Sequence, residues 1–177
     1  MNVKGCSEPK EGERKAVGPR QAIQRSFAVL LKNVDQFRET DLRYKGDANP
    51  PPPSATVEQV GDDMVIKSID GRITGQMPAA QMNLEEWNRE RPWYEELEDR
   101  ICPLWLEYTR LIRELAFLPT QAQLPPPQEQ EERTRMQTRL NRVTSELCTY
   151  FREVVRISER TLGASLPDHY RLYEVCY

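Results

Sequence analysis

The chain has 177 residues, 14 of them proline, a formal net charge of -3 and a sequence pI of about 5.4. That length holds one domain with tails and a modest core, and 38% apolar against 30% charged residues describes a helical part diluted by polar, proline-rich segments. The acidic balance argues against a general nucleic-acid binder, and no apolar run is long enough to span a membrane.

Residues 1–18 are polar, mixed in charge and contain Gly5, Gly12 and Gly18, which predicts a disordered tail. They hold no apolar stretch, so no secretory signal is expected. Cys6, Cys102, Cys148 and Cys176 are far apart, never form C-x-x-C and accompany no N-x-Ser/Thr sequon. This points to a reducing, intracellular setting in which cysteines serve as small apolar residues.

From residue 19 onward a single helical domain is expected. Pro19 suits a first helical turn. Ile23, Phe27, Leu30, Val34 and Phe37 follow at +4, +3 steps, with Leu31 widening the stripe, so an amphipathic helix is predicted over 20–39. Residues 41–54 end in Pro50 to Pro53 and read as a polyproline linker. Over 55–77 the pattern changes to β-branched residues broken by Gly61-Asp62-Asp63 and Asp70-Gly71, the signature of a small β-hairpin insert of two or three strands. Asp-Gly predicts a turn with φ > 0 at both central positions.

A helix over 83–118 follows, capped by Asn83 and bent or split near Pro92 and Pro103. Its seam is Tyr94, Leu97, Ile101, Leu104, Tyr108, Leu111, Leu115 and Leu118. Glu95, Glu96, Glu98 and Asp99 crowd its early turns. Helical residues two apart do not converge on one ion and no His accompanies them, so they read as a solvated face and not a metal site. Residues 119–130 are a proline-rich loop. The closing helix, 131–162, carries Met136, Leu140, Val143, Leu147, Tyr150, Val154 and Ile157 in strict heptad rhythm and ends at Gly163. A short helix over 167–177 then places Tyr170, Tyr173 and Tyr177 on one face.

The fold class is therefore mainly α: an antiparallel αα-hairpin or three-helix bundle with coiled-coil-like seams, a small β-hairpin insert and a disordered N-terminal tail. The antiparallel arrangement brings Glu95 to Asp99 toward Arg152, Arg156 and Arg160.

No motif commits the chain to a chemistry. His169 is the sole histidine, and there is no phosphate loop, zinc spacing or nucleophile with a visible base. A Cys–His pair of His169 with Cys176 is the weaker reading of those two residues. No catalytic, metal or cofactor site is expected. Surplus aromatic surface points instead to a non-catalytic adaptor or scaffold subunit of an intracellular multiprotein assembly. It would bind other protein subunits, or a second copy of itself, by helix-in-groove or coiled-coil pairing. The expected anchors are Trp93, Trp105, Tyr150, Phe151, Val154 and Leu162, with Tyr170, Tyr173 and Tyr177. The alternative is a nucleic-acid-associated protein using the basic stripe Arg133, Arg135, Arg139 and Arg142 on helix 131–162.

Overall fold

The computed structural model describes residues 19–116 and 127–176; the expected N-terminal tail, Leu118 and Tyr177 lie outside them. The chain is mainly helical, with one three-stranded antiparallel sheet. Helix α1 is Pro19–Tyr44, strands β1, β2 and β3 are Ala55–Val60, Asp63–Ser68 and Ile73–Pro78, helix α2 is Leu84–Ala116, helix α3 is Pro127–Leu162, and α4 is the short Tyr173–Cys176. No described helix is long and apolar enough to cross a membrane.

Helix α1 continues past its expected end because Asp41, which reads as a polar terminus, is buried. Its carboxylate accepts from the Tyr108 hydroxyl at 3.2 Å and pairs with Lys45 at 2.8 Å. Of the expected stripe, Phe27, Leu30, Leu31, Val34 and Phe37 are buried and Ile23 is half-buried against them.

The insert resolves into three strands ordered β1-β2-β3, packed on α1 and not standing apart. Val57, Met64 and Met77 supply its core face. The other face carries Glu58 paired with Lys67 and Gln76 donating to Asp63 at 2.7 Å, above a buried Val65. Gly61, with φ 62, turns β1 into β2. The second turn departs from expectation: only Gly71 has positive φ. Asp70 keeps ordinary φ because its carboxylate is held locally, by the Ser68 hydroxyl and by the Arg72 N–H at 3.2 Å, so the loop opens to the longer form.

Asn83 caps α2 as expected, its side chain accepting from the Glu86 N–H at 3.1 Å. The helix then runs unbroken through Pro92 and Pro103. Both prolines are exposed, and so are Asn88 and Asp99 four residues before them. The carbonyls that lose a donor face water, so no buried group is orphaned and the helix need not split. Helix α3 starts at Pro127, inside the expected loop, and ends at Gly163 with φ 69 and a Gly163 N–H to Glu159 bond of 2.8 Å.

Between α2 and α3 the partners fall in number on one helix as they rise on the other: Glu90 meets Arg156, Arg100 meets Tyr150, and Glu107 meets Arg139. The charge pairing is shifted from expectation. Glu90 takes Arg156 and Arg160, while Glu95 and Glu96 pair within α2 and Arg152 donates to the Arg171 carbonyl. The three long helices meet where Phe37 touches Trp105, Tyr108 and Phe151 at centroid distances of 6.4, 5.0 and 5.5 Å. Each such buried ring contributes about 1.5–3 kcal/mol.

Trp105 Nε1 is buried with no hydrogen-bond partner among the described residues. Trp105→Phe removes that orphan donor but also three buried ring atoms, so it is expected to cost about 1–3 kcal/mol in urea denaturation, less than Trp105→Ala. A loss as large as that of Trp105→Ala, about 3–5 kcal/mol, would run against an unpaired indole N–H.

The cysteine expectation is corrected. Cys148 and Cys176 form a disulfide across 28 residues, their Cα atoms 6.1 Å apart, and Cys102 is not part of it. The bond holds α4 against α3, and a Cys–His pair of Cys176 with His169 is thereby excluded. The tyrosine face is corrected too. Leu172 takes φ 58 between a 3-10 turn at Asp168–Arg171 and α4, so Tyr170 is not in helical phase with Tyr173.

Candidate interaction surface

On α2, Trp93 and Arg100 are seven residues apart and therefore share a face. Tyr150 of α3 comes up beside them. The Arg100 guanidinium carbon lies 5.5 Å from the Trp93 ring centroid and 5.8 Å from that of Tyr150. Arg100 Nη1 reaches the Tyr150 hydroxyl at 3.5 Å, and Nη2 donates to Glu96. The Tyr150 hydroxyl, followed by the charge of Glu96, holds this guanidinium above its ordinary value. Trp93 and Tyr150 are half-buried against the core and Arg100 is exposed, so the cluster is fixed below and open above. Along the same margin of the helix pair, Arg139 grips Glu107 through both oxygens.

A guanidinium lodged between two aromatic rings is preorganised, because its side-chain freedom is spent before any partner arrives. Trp, Tyr and Arg are also the residue types that dominate binding energy at interfaces. The arrangement suits the capture of a protein surface with a carboxylate or an aromatic edge at its centre.

The other expected anchors lie elsewhere. Trp105, Phe151, Val154 and Leu162 are buried in the chain's own core. Tyr170 is buried as well: its hydroxyl donates to Asp35 Oδ2 at 3.1 Å and accepts from the Val57 N–H at 3.1 Å, while His169 Nε2 meets Asp35 Oδ1 at 2.6 Å. The C-terminal segment thus docks on α1 and β1 of its own chain. The side chains of Tyr173 and Tyr177 lie outside the described residues. Arg100 was missed by the sequence reading. Its signal is the seven-residue spacing from Trp93.

In the basic stripe, Arg139 is taken by Glu107 and Arg142 by Glu146, Arg133 stands in electrostatic reach of Tyr44, and Arg135 is exposed. Two of the four cations are already neutralised by carboxylates. Among the described residues no cluster of three His, Cys, Asp or Glu is placed to hold a metal ion. No protein-family model, no curated protein and no solved structure matches the chain.

Proposed function

We propose that this chain is a non-catalytic helical adaptor or scaffold subunit. In this reading α2 and α3 form an antiparallel αα-hairpin, α1 completes a three-helix bundle, and the outer margin of the α2–α3 seam receives a helix of another subunit or of a second copy. The observation that carries the reading is the Trp93–Arg100–Tyr150 cluster, with Arg100 within 6 Å of both ring centroids. The seams themselves are consumed within the chain, so pairing through them is set aside in favour of this margin. An intracellular assembly remains the setting proposed, but its support from unpaired cysteines is withdrawn by the Cys148–Cys176 bond.

Two measurements test the reading. Light scattering of the purified chain across concentration shows whether a second copy binds. A photo-crosslinking side chain at exposed Pro103, one turn from Arg100, compared with one at exposed Arg113, shows whether another protein does. Truncating Trp93 or Tyr150 to Ala is expected to weaken the association by about 2 kcal/mol, roughly thirtyfold in Kd, with the helical content unchanged. A monomer at every concentration, together with equal crosslinking at the two positions, would remove the proposal.

A further inference from the structure

Helix α4 meets the C-terminal end of α1 and the middle of α3 around a half-open pocket of about 330 Å³. That is the scale of a small molecule. Both partners of the disulfide, Cys148 and Cys176, line it. The bond thus borders an open cavity and is not sealed inside the core. Cys148 is 3% exposed and Cys176 is half-buried, so Cys176 is the more accessible of the two. Disulfides that solvent reaches are the ones small thiols open, whereas sealed ones wait for the fold to open.

The same pocket is charged. Its ionic lining groups are Asp41, Lys45 and Arg152. Asp41 and Lys45 neutralise each other across 2.8 Å. Arg152 is exposed, donates its Nε–H to the Arg171 carbonyl at 3.3 Å and meets no carboxylate among the described residues. The pocket therefore holds one unit of uncompensated positive charge. It draws an incoming thiolate, and it draws a thiol that carries a further negative group more strongly. The chemistry that fits both the size and the charge is a small thiol bearing a carboxylate or a sulfonate.

We propose that this pocket admits a small anionic thiol, which opens the Cys148–Cys176 bond in the folded protein. The thiolate attacks Cys176 Sγ. A new S–S bond forms there, the Cys148–Cys176 bond breaks, and Cys148 Sγ leaves as a thiolate that takes a proton from water. The incoming sulfur is oxidised to the disulfide level and Cys148 is reduced, so no other oxidant or reductant enters. Lys45, bonded to the Val175 carbonyl, and the buried Leu172 and Val175 keep α4 in place meanwhile. Return of the Cys148 thiolate onto Cys176 then expels the thiol and closes the bond again. The bond is a reversible latch on the C-terminal segment, worked by the supply of small thiols. The site is separate from the Trp93–Arg100–Tyr150 surface, and the two readings stand or fall independently.

The test treats the purified full-length chain, without denaturant and at low ionic strength, with anionic mercaptoethanesulfonate, neutral mercaptoethanol or cationic cysteamine. Each reaction is quenched in acid, and the early thiol adduct and the freed cysteine are located by mass spectrometry. Each rate is divided by the same thiol's rate with uncharged hydroxyethyl disulfide, which removes differences in intrinsic reactivity. The bond should open while the helical circular dichroism persists, with the adduct on Cys176. One charge acting across about 6 Å of water changes a rate about threefold, so the anionic thiol should outrun the cationic one about tenfold. Raised salt should shrink that ratio. Arg152→Gln should bring it near one and Arg152→Glu should invert it. Arg113→Glu, on α2 and not lining the pocket, should leave it unchanged. Opening no faster than the chain unfolds without thiol would overturn the proposal, since the bond would then be sealed in the native state. So would equal normalised rates for the anionic and cationic thiols, or an adduct on Cys148 in place of Cys176.

Discussion

Raising the pH past the ordinary tyrosine value of 10.0 is expected to unfold this chain in one steep step. Tyr94, Tyr108 and Tyr170 are all essentially without solvent exposure. Burial pushes each phenol up, and a nearby carboxylate adds to it: Glu98 for Tyr94, Asp41 for Tyr108 and Asp35 for Tyr170. The native state therefore keeps three phenolic protons that the unfolded chain releases near 10.0. Stability is fully present below that pH and falls as the pH rises above it. The slope is about 4 kcal/mol per pH unit once the unfolded phenols are ionised, enough to exhaust a typical domain within two or three units. Tyrosinate absorbance from these residues should appear only as the helical circular dichroism disappears. Tyr94→Phe should lower the slope by about a third, since that ring stays packed on Phe27 and Trp87 and loses only its bond to Ser26. Titration of more than four of the seven tyrosines near pH 10 with the helical signal intact would refute this account.

These same tyrosines show what local sequence does and does not carry. Tyr94 and Tyr108 stand in a heptad rhythm, so their burial was readable. Asp41 was not readable as a helix interior, because its partner Tyr108 lies 67 residues away. The same limit applies to the register of α2 on α3. Periodicity specifies which stripe faces inward, yet a shift of one turn keeps the stripe and changes every charge pair, which is how Glu90 and not Glu95 to Asp99 comes to meet Arg156. In the insert, Gly61 and Gly71 were legible as turns. The form of the second turn was decided by the Asp70 carboxylate, which satisfies Ser68 and Arg72 locally. The candidate surface was half legible: Trp93 and Tyr150 by residue type, Arg100 only once α3 brings Tyr150 over it. Burial claimed most of the other anchors, because a chain this size needs its large rings to build a core before it has any to spare.

Reducing the Cys148–Cys176 bond is expected to cost about 3–4 kcal/mol, the closure entropy that a cross-link over this separation of 28 residues removes from the unfolded chain. The structural consequence should be confined to the C-terminal segment. That segment is held from three sides: the disulfide to α3, Lys45 Nζ donating to the Val175 carbonyl at 2.8 Å, and Tyr170 bridging Val57 and Asp35. Leu172 and Val175 are buried beneath these contacts, so the apolar docking survives reduction while its tether does not. The melting temperature should therefore drop on adding reductant, by roughly 10 °C or more for a domain of this size. Amide exchange should rise first at 172–176 and leave α2 and the body of α3 protected. Cys148→Ser should reproduce the drop and abolish the response to reductant, whereas Cys102→Ser should do neither. An unchanged melting temperature, with Cys148 and Cys176 both labelled by a thiol reagent in the unreduced protein, would show that the bond is not formed. The two cysteines would then be the separate apolar residues that their spacing suggests, and the reducing compartment inferred from them would regain its support.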